Sequence, residues 1–120
     1  MDPKNENLEF SLERIEKPVT IGGKAYVLRE LDGKQRDTYL NGLSQRVRIV
    51  DGKPAGLKSF DGLQASLLAL CLYENIAGGE PVPAATIQAW PATVVTRLYE
   101  VAREMNGLDE EEEGTKKGND

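Results

Sequence analysis

The chain contains no histidine, a single cysteine and no apolar run longer than Leu67 to Tyr73. Each absence closes a class of function. Without histidine the commonest general base and the commonest metal ligand are gone, so serine–histidine and cysteine–histidine catalysis are excluded. One cysteine, Cys71, permits neither an intrachain disulfide nor a multi-cysteine metal cage. It sits among leucines, where a thiol serves as core filler. A run of seven residues is far short of the roughly 20 a membrane-spanning helix needs. The polar, acidic start at residues 1–9 lacks the basic and apolar regions of a secretory signal, and a cytoplasmic place of action is expected.

Positive charge in excess is also lacking. Fifteen Lys and Arg stand against twenty Asp and Glu, a net of −5 over 120 residues. Six of the acids and two lysines fall in residues 109–120, which leaves the body close to neutral. A neutral body offers no field for nucleic acid, whose binding depends on many contacts from Lys and Arg to phosphate. The length suits one domain with a modest core.

What is present reads as a small α+β domain, mainly helical. Leu8, Phe10 and Leu12 alternate with polar residues as in a half-buried strand, while a short helix starting near Ser11 fits as well. Pro18 is expected to end either element. Val19–Ile21 and Ala25–Leu28 flank Gly22–Gly23, the signal of a β-hairpin. Asp32 stands where an N-cap belongs, and Tyr39, Leu40, Leu43 and Val47 follow at helical spacing, predicting a helix from about Gly33 to Arg46.

Asp51-Gly52-Lys53-Pro54 marks a turn between two short extended runs. It has too few oxygen ligands for a calcium loop. Asp61 and Gln64 have the spacing of a capping box ahead of Leu63, Leu67, Leu68, Leu70, Cys71 and Leu72, a helix apolar on most sides and expected at the centre of the core. Residues 78–83 form a loop, because two glycines and two prolines cannot continue a helix. A helical turn over 84–90 leads to a last helix from about Pro91 to Asn106, striped by Val94, Val95, Leu98, Val101, Ala102 and Met105. Asn106-Gly107-Leu108 closes it in a left-handed residue. The reading is therefore one folded domain over 1–108, with an N-terminal hairpin against about three helices and a short one, and a disordered acidic tail over 109–120.

No arrangement of residues carries chemistry. The densest acids, Glu110 to Glu113, lie in a tail that cannot hold a cleft. Gly22–Gly23 precedes a strand, unlike a phosphate-binding loop that opens a helix. Arg46, Arg48, Lys53 and Lys58 gather around the second turn, either as an ordinary solvated hairpin or as a patch for an acidic partner or the chain's own tail. Trp90, beside Pro91, suits either an interface anchor or a helix-junction core residue.

With these elements placed, three segments resemble tail assembly chaperones of long-tailed bacteriophages and prophages. The first is Val27-Leu28-Arg29-Glu30-Leu31 with Gly33, Arg36, Asp37, Tyr39 and Leu40. The second is Phe60, Gly62-Leu63-Gln64 and Leu67 to Tyr73. The third is Ile87, Trp90-Pro91, Leu98, Ala102 and Asn106-Gly107-Leu108 ahead of an acidic tail.

The resemblance covers roughly residues 18–108 and implies a non-catalytic factor, without cofactor or small-molecule substrate. Such a factor binds the helical tape measure protein in the host cytoplasm, promotes assembly of tail tube protein around it and is absent from the mature virion. Partner contacts would then fall on Trp90, Val94, Val101 and Met105, and on Tyr39 and Leu43 of the earlier helix, with homo-oligomers also open. Family members are often made in two lengths by ribosomal frameshifting, and the codons of Gly114 to Gly118 are where a slippery run would lie. The competing reading is a structural tail component, a completion or connector subunit that stays in the particle. A small carboxylate enzyme is the third possibility, and no residue argues for it.

Overall fold

The computed structural model describes residues 7–58, 60 and 62–108. The element order is β1 (Glu16–Ile21), β2 (Lys24–Arg29), α1 (Gly33–Ser44), β3 (Val47–Val50), β4 (Lys53–Leu57), α2 (Leu63–Cys71), β5 (Leu72–Glu74), α3 (Ala84–Gln88) and α4 (Ala92–Met105). This is the expected small α+β domain with an N-terminal hairpin and four helices. The predicted tail lies outside the described residues, as does Asp61 of the predicted capping box.

Gly22 and Gly23 both take positive φ, +59° and +80°. That pair of left-handed residues gives a two-residue turn whose twist matches the strands it joins. Ile21 opposes Lys24, and the register runs without a break to Glu16 opposite Arg29. Pro18, expected to close an element before the hairpin, instead lies inside β1, which starts at Glu16. The sheet order is β1-β2-β5, so β1 is an edge. Counting from the turn, Pro18 and Val27 form a pair without mutual hydrogen bonds, so the donor that proline lacks would have faced outward.

The third strand corrects the reading of 63–72 as one helix. Leu72 has extended dihedrals, φ −100° and ψ 122°, and Leu72, Tyr73 and Glu74 pair with Leu28, Val27 and Tyr26. The open edge of β2 thus takes the end of the leucine run. The segment before β1 is a second correction. Residues 7–15 form no strand or helix, and Leu8, Phe10 and Leu12 are exposed, because no neighbouring strand offers that alternation a buried face. Arg14 and Ile15 anchor its end through Arg14 Nε to the Glu30 carbonyl at 2.7 Å and Ile15 N to Glu30 Oε1 at 3.0 Å.

The core forms where α2 meets the sheet and the other helices. Leu28, Leu67, Leu68, Leu72 and Ile87 are fully buried, each stabilising the fold by about 1.5–3 kcal/mol. Helix α2 packs against α1, α3 and α4. Asp32 caps α1, its carboxylate accepting from Gln35 N at 2.8 Å while Gln35 Oε1 accepts from Asp32 N at 3.0 Å. The expected closure of α4 is also present. Leu108 N donates to the Arg103 carbonyl at 2.9 Å, Gly107 N donates to that of Glu104 at 3.2 Å, Gly107 has φ +67°, and Leu108 folds back into the core. These are the two bonds of a Schellman motif. Among the described residues no helix is long and apolar enough to cross a membrane.

Candidate partner-binding surface

Helix α4 has two apolar faces of different character. Val95, Leu98, Tyr99 and Ala102 are buried against the core, while Val94, Val101 and Met105 pack on its margin and stay half-exposed. Val94, Leu98, Val101 and Met105 are spaced i, i+4, i+7 and i+11. That alternation of fours and threes is the seam along which one helix packs against another. The stripe is about two heptads long, on the order of 17 Å at 1.5 Å per residue.

Beside it, β1 turns Val19 and Ile21 to the same side, two residues apart on one face of the strand. The two walls enclose a groove of about 600 Å³ lined by Val19, Ile21, Val94, Leu98 and Val101, with Thr20, Thr93 and Arg97 on its border. Arg97 Nη1 stands 3.5 Å from Glu100 Oε1 there. Both side chains are well exposed, so the pair contributes little to stability and leaves the rim polar.

A second cleft, of about 350 Å³, lies between the start of α2 and the α3–α4 junction, with Phe60, Leu63, Trp90 and Val95 in its lining. Trp90 is half-buried and meets the Tyr26 ring edge-on at 5.7 Å and 72°. It therefore serves both alternatives, bracing the helix junction and facing a cleft. Tyr39 and Leu43 behave otherwise: each is 3% exposed, and the Tyr39 hydroxyl shares a 2.8 Å hydrogen bond with that of Tyr99. They are core residues and cannot present a docking surface, which corrects their placement among the partner contacts.

Val94 and Val101 thus come together in one groove, Met105 continues its line, and Trp90 sits at the other cleft. The contribution of Val19 and Ile21 was not foreseen, since their partner helix lies more than 70 residues away in the chain. Half-buried apolar residues on an edge strand are the signal that points to them.

Among the described residues no three His, Cys, Asp or Glu side chains gather as they would around a metal. Burial pushes the Cys71 thiol up to about 12, against a small opposing influence from Arg14. Such a thiol is inert as a nucleophile at neutral pH. A hydrogen bond from Lys24 to Glu74, at 3.1 Å, and the charge of that carboxylate raise the Lys24 ammonium. That pair joins the first turn to the end of β5.

Comparisons of the chain with protein-family models, with curated proteins and with solved structures each returned no match.

Proposed function

We propose that this domain is a phage tail assembly chaperone, a non-catalytic protein that holds an amphipathic helix of the tape measure protein in the groove between β1 and α4. The observation that carries the reading is the stripe of half-exposed Val94, Val101 and Met105 with buried Leu98 at its floor, whose spacing suits a second helix and whose flank is an apolar strand. A long tape measure protein exposes apolar helical surface that aggregates unless covered, and helix-in-groove docking is the mode that covers it. The segments named above that resemble tail assembly chaperones lend the same support. On this reading the protein works in the host cytoplasm, cooperates with tail tube protein and is left out of the finished virion.

Coexpression with the tape measure protein of the same genome, followed by pull-down and a solubility assay, tests it. A soluble complex is expected, and Val101→Asp should abolish it while leaving the far-UV circular dichroism and cooperative unfolding of the domain unchanged. A tape measure protein that stays insoluble and unbound beside the wild-type chain would end this reading.

A further inference from the structure

The sheet ends one strand short of its helix layer. β1 is an edge strand, and the alternation that turns the missing donor of Pro18 outward also turns the N–H groups of Glu16 and Thr20 and the carbonyls of Glu16, Pro18 and Thr20 away from β2. An edge of this kind is a template for one more strand. Alongside it, Val94 and Val101 of α4 stay half-exposed in the groove that Val19 and Ile21 line from the other side. A fourth strand beside β1 would cover both valines.

The chain carries a segment of that kind and does not use it within one copy. Leu8, Phe10 and Leu12 recur at the period of a strand and are 73%, 83% and 97% exposed. Their own β1 is closed to them. The Ile15 carbonyl accepts from Glu30 N at 2.8 Å, and Arg14 Nε and Ile15 N bond to Glu30, so the chain runs on past the end of β2 and a return along the β1 edge breaks those bonds. The β1 of a second copy has no such restriction. Donor and acceptor also carry opposite charge: Glu9 and Glu13 lie among the apolar residues of the segment, while Lys17 stands on the receiving strand and Arg97 on the border of the groove.

We propose that residues 8–12 of one copy add to β1 of a second copy as a fourth strand, with Leu8, Phe10 and Leu12 in the groove against Val19, Ile21, Val94 and Val101. Main-chain hydrogen bonds hold such a strand while alternate side chains fill the pockets beneath it. A two-fold exchange makes the contact twice and brings three large apolar side chains from each copy to an interface that needs about 1,200 Å² to be stable. Pro18, an acceptor without a donor, keeps the same edge from pairing along its whole length. The contact belongs to the free chain, and a helix bound in the groove displaces it.

Sedimentation of the full chain by itself, over a range of concentrations, tests this. A monomer–dimer equilibrium is expected at micromolar concentration. Phe10→Asp, at an exposed position, should leave the far-UV circular dichroism unchanged and weaken the dimer at least about tenfold, and Val101→Asp should weaken it as much. The two variants are then mixed. The Phe10→Asp chain keeps an intact groove and the Val101→Asp chain an intact segment, so one of the two contacts is restored and a mixed dimer is expected where neither variant dimerises alone. A wild-type chain that stays monomeric throughout, a dimer that Phe10→Asp leaves intact, or a mixture no more associated than its parts would overturn the proposal. No tape measure protein is present, so the outcome stands apart from that of the coexpression test.

Discussion

The two hairpins of this chain use the same turn and come to opposite ends. Both turn on two residues of positive φ, Gly22–Gly23 in one and Asp51–Gly52, at +54° and +77°, in the other. Aspartate tolerates the left-handed region better than most residues, which lets it replace the first glycine. In the first hairpin β2 finds a second neighbour in β5 and buries Tyr26 and Leu28. In the second, the ladder slips between Val47 and Ile49, Leu57 alone packs against the core, and Ile49 and Val50 stay exposed. Local turn chemistry makes a hairpin; a third strand and a helix layer decide whether it becomes scaffold or surface.

Side-chain truncation should separate the two most widely. Leu28→Ala removes a fully buried side chain and is expected to cost about 2–5 kcal/mol in urea unfolding. Ile49→Ala, in the second hairpin, should stay within about 0.5 kcal/mol. Equal losses would show that both hairpins belong to one core.

Alkaline titration probes the same contrast through a thiol. Cys71 directly precedes β5, and its ordinary value of 9.0 is raised to about 12 by burial. Below pH 9 both the folded and unfolded chains keep the proton, so this group makes stability independent of pH. Above it the unfolded chain releases the proton while the folded chain holds it, and stability falls by at most about 1.4 kcal/mol per pH unit until about pH 12. Cys71→Ala should remove that part of the slope. In a Cys71→Ala, Ile49→Cys chain the new thiol should not restore it, because position 49 is exposed.

The smallest effect is the most discriminating. Gly23→Ala and Gly52→Ala impose the same left-handed strain at equivalent turn positions, about 1 kcal/mol each. The first should lower global stability by that amount. The second should leave the denaturation midpoint nearly unchanged and instead reduce hydrogen-exchange protection over residues 47–57, because that hairpin can open by itself. A shift in midpoint shared equally by both variants would erase the distinction.

Much of this architecture was legible in the order of residues. Asp32, Gly107 and the two turn dipeptides carry their own backbone geometry, and the helices show in their periodicity. Strand β5 was not legible, since Leu72 and Tyr73 continue an apolar helical run and turn extended only because β2 has an open edge. Leu8, Phe10 and Leu12 failed in the opposite sense: they have a strand's alternation and no strand to pair with. The stripe at Val94, Val101 and Met105 was readable from spacing. The wall opposite it was not, because only tertiary packing brings Val19 and Ile21 to a helix so far along the chain. Tyr39 and Leu43 share that stripe's periodicity, yet α2 and α4 bury them completely.

Asn106 joins the last turn of α4 to the strand-to-helix junction at Leu31 and Arg36, across 75 and 70 residues of sequence. During synthesis that bond can form only after residue 106 has left the ribosome, by which time every other element of the domain is already outside. The first hairpin and α1 can thus form before it, while the tie between the end of α4 and the start of α1 waits for residue 106.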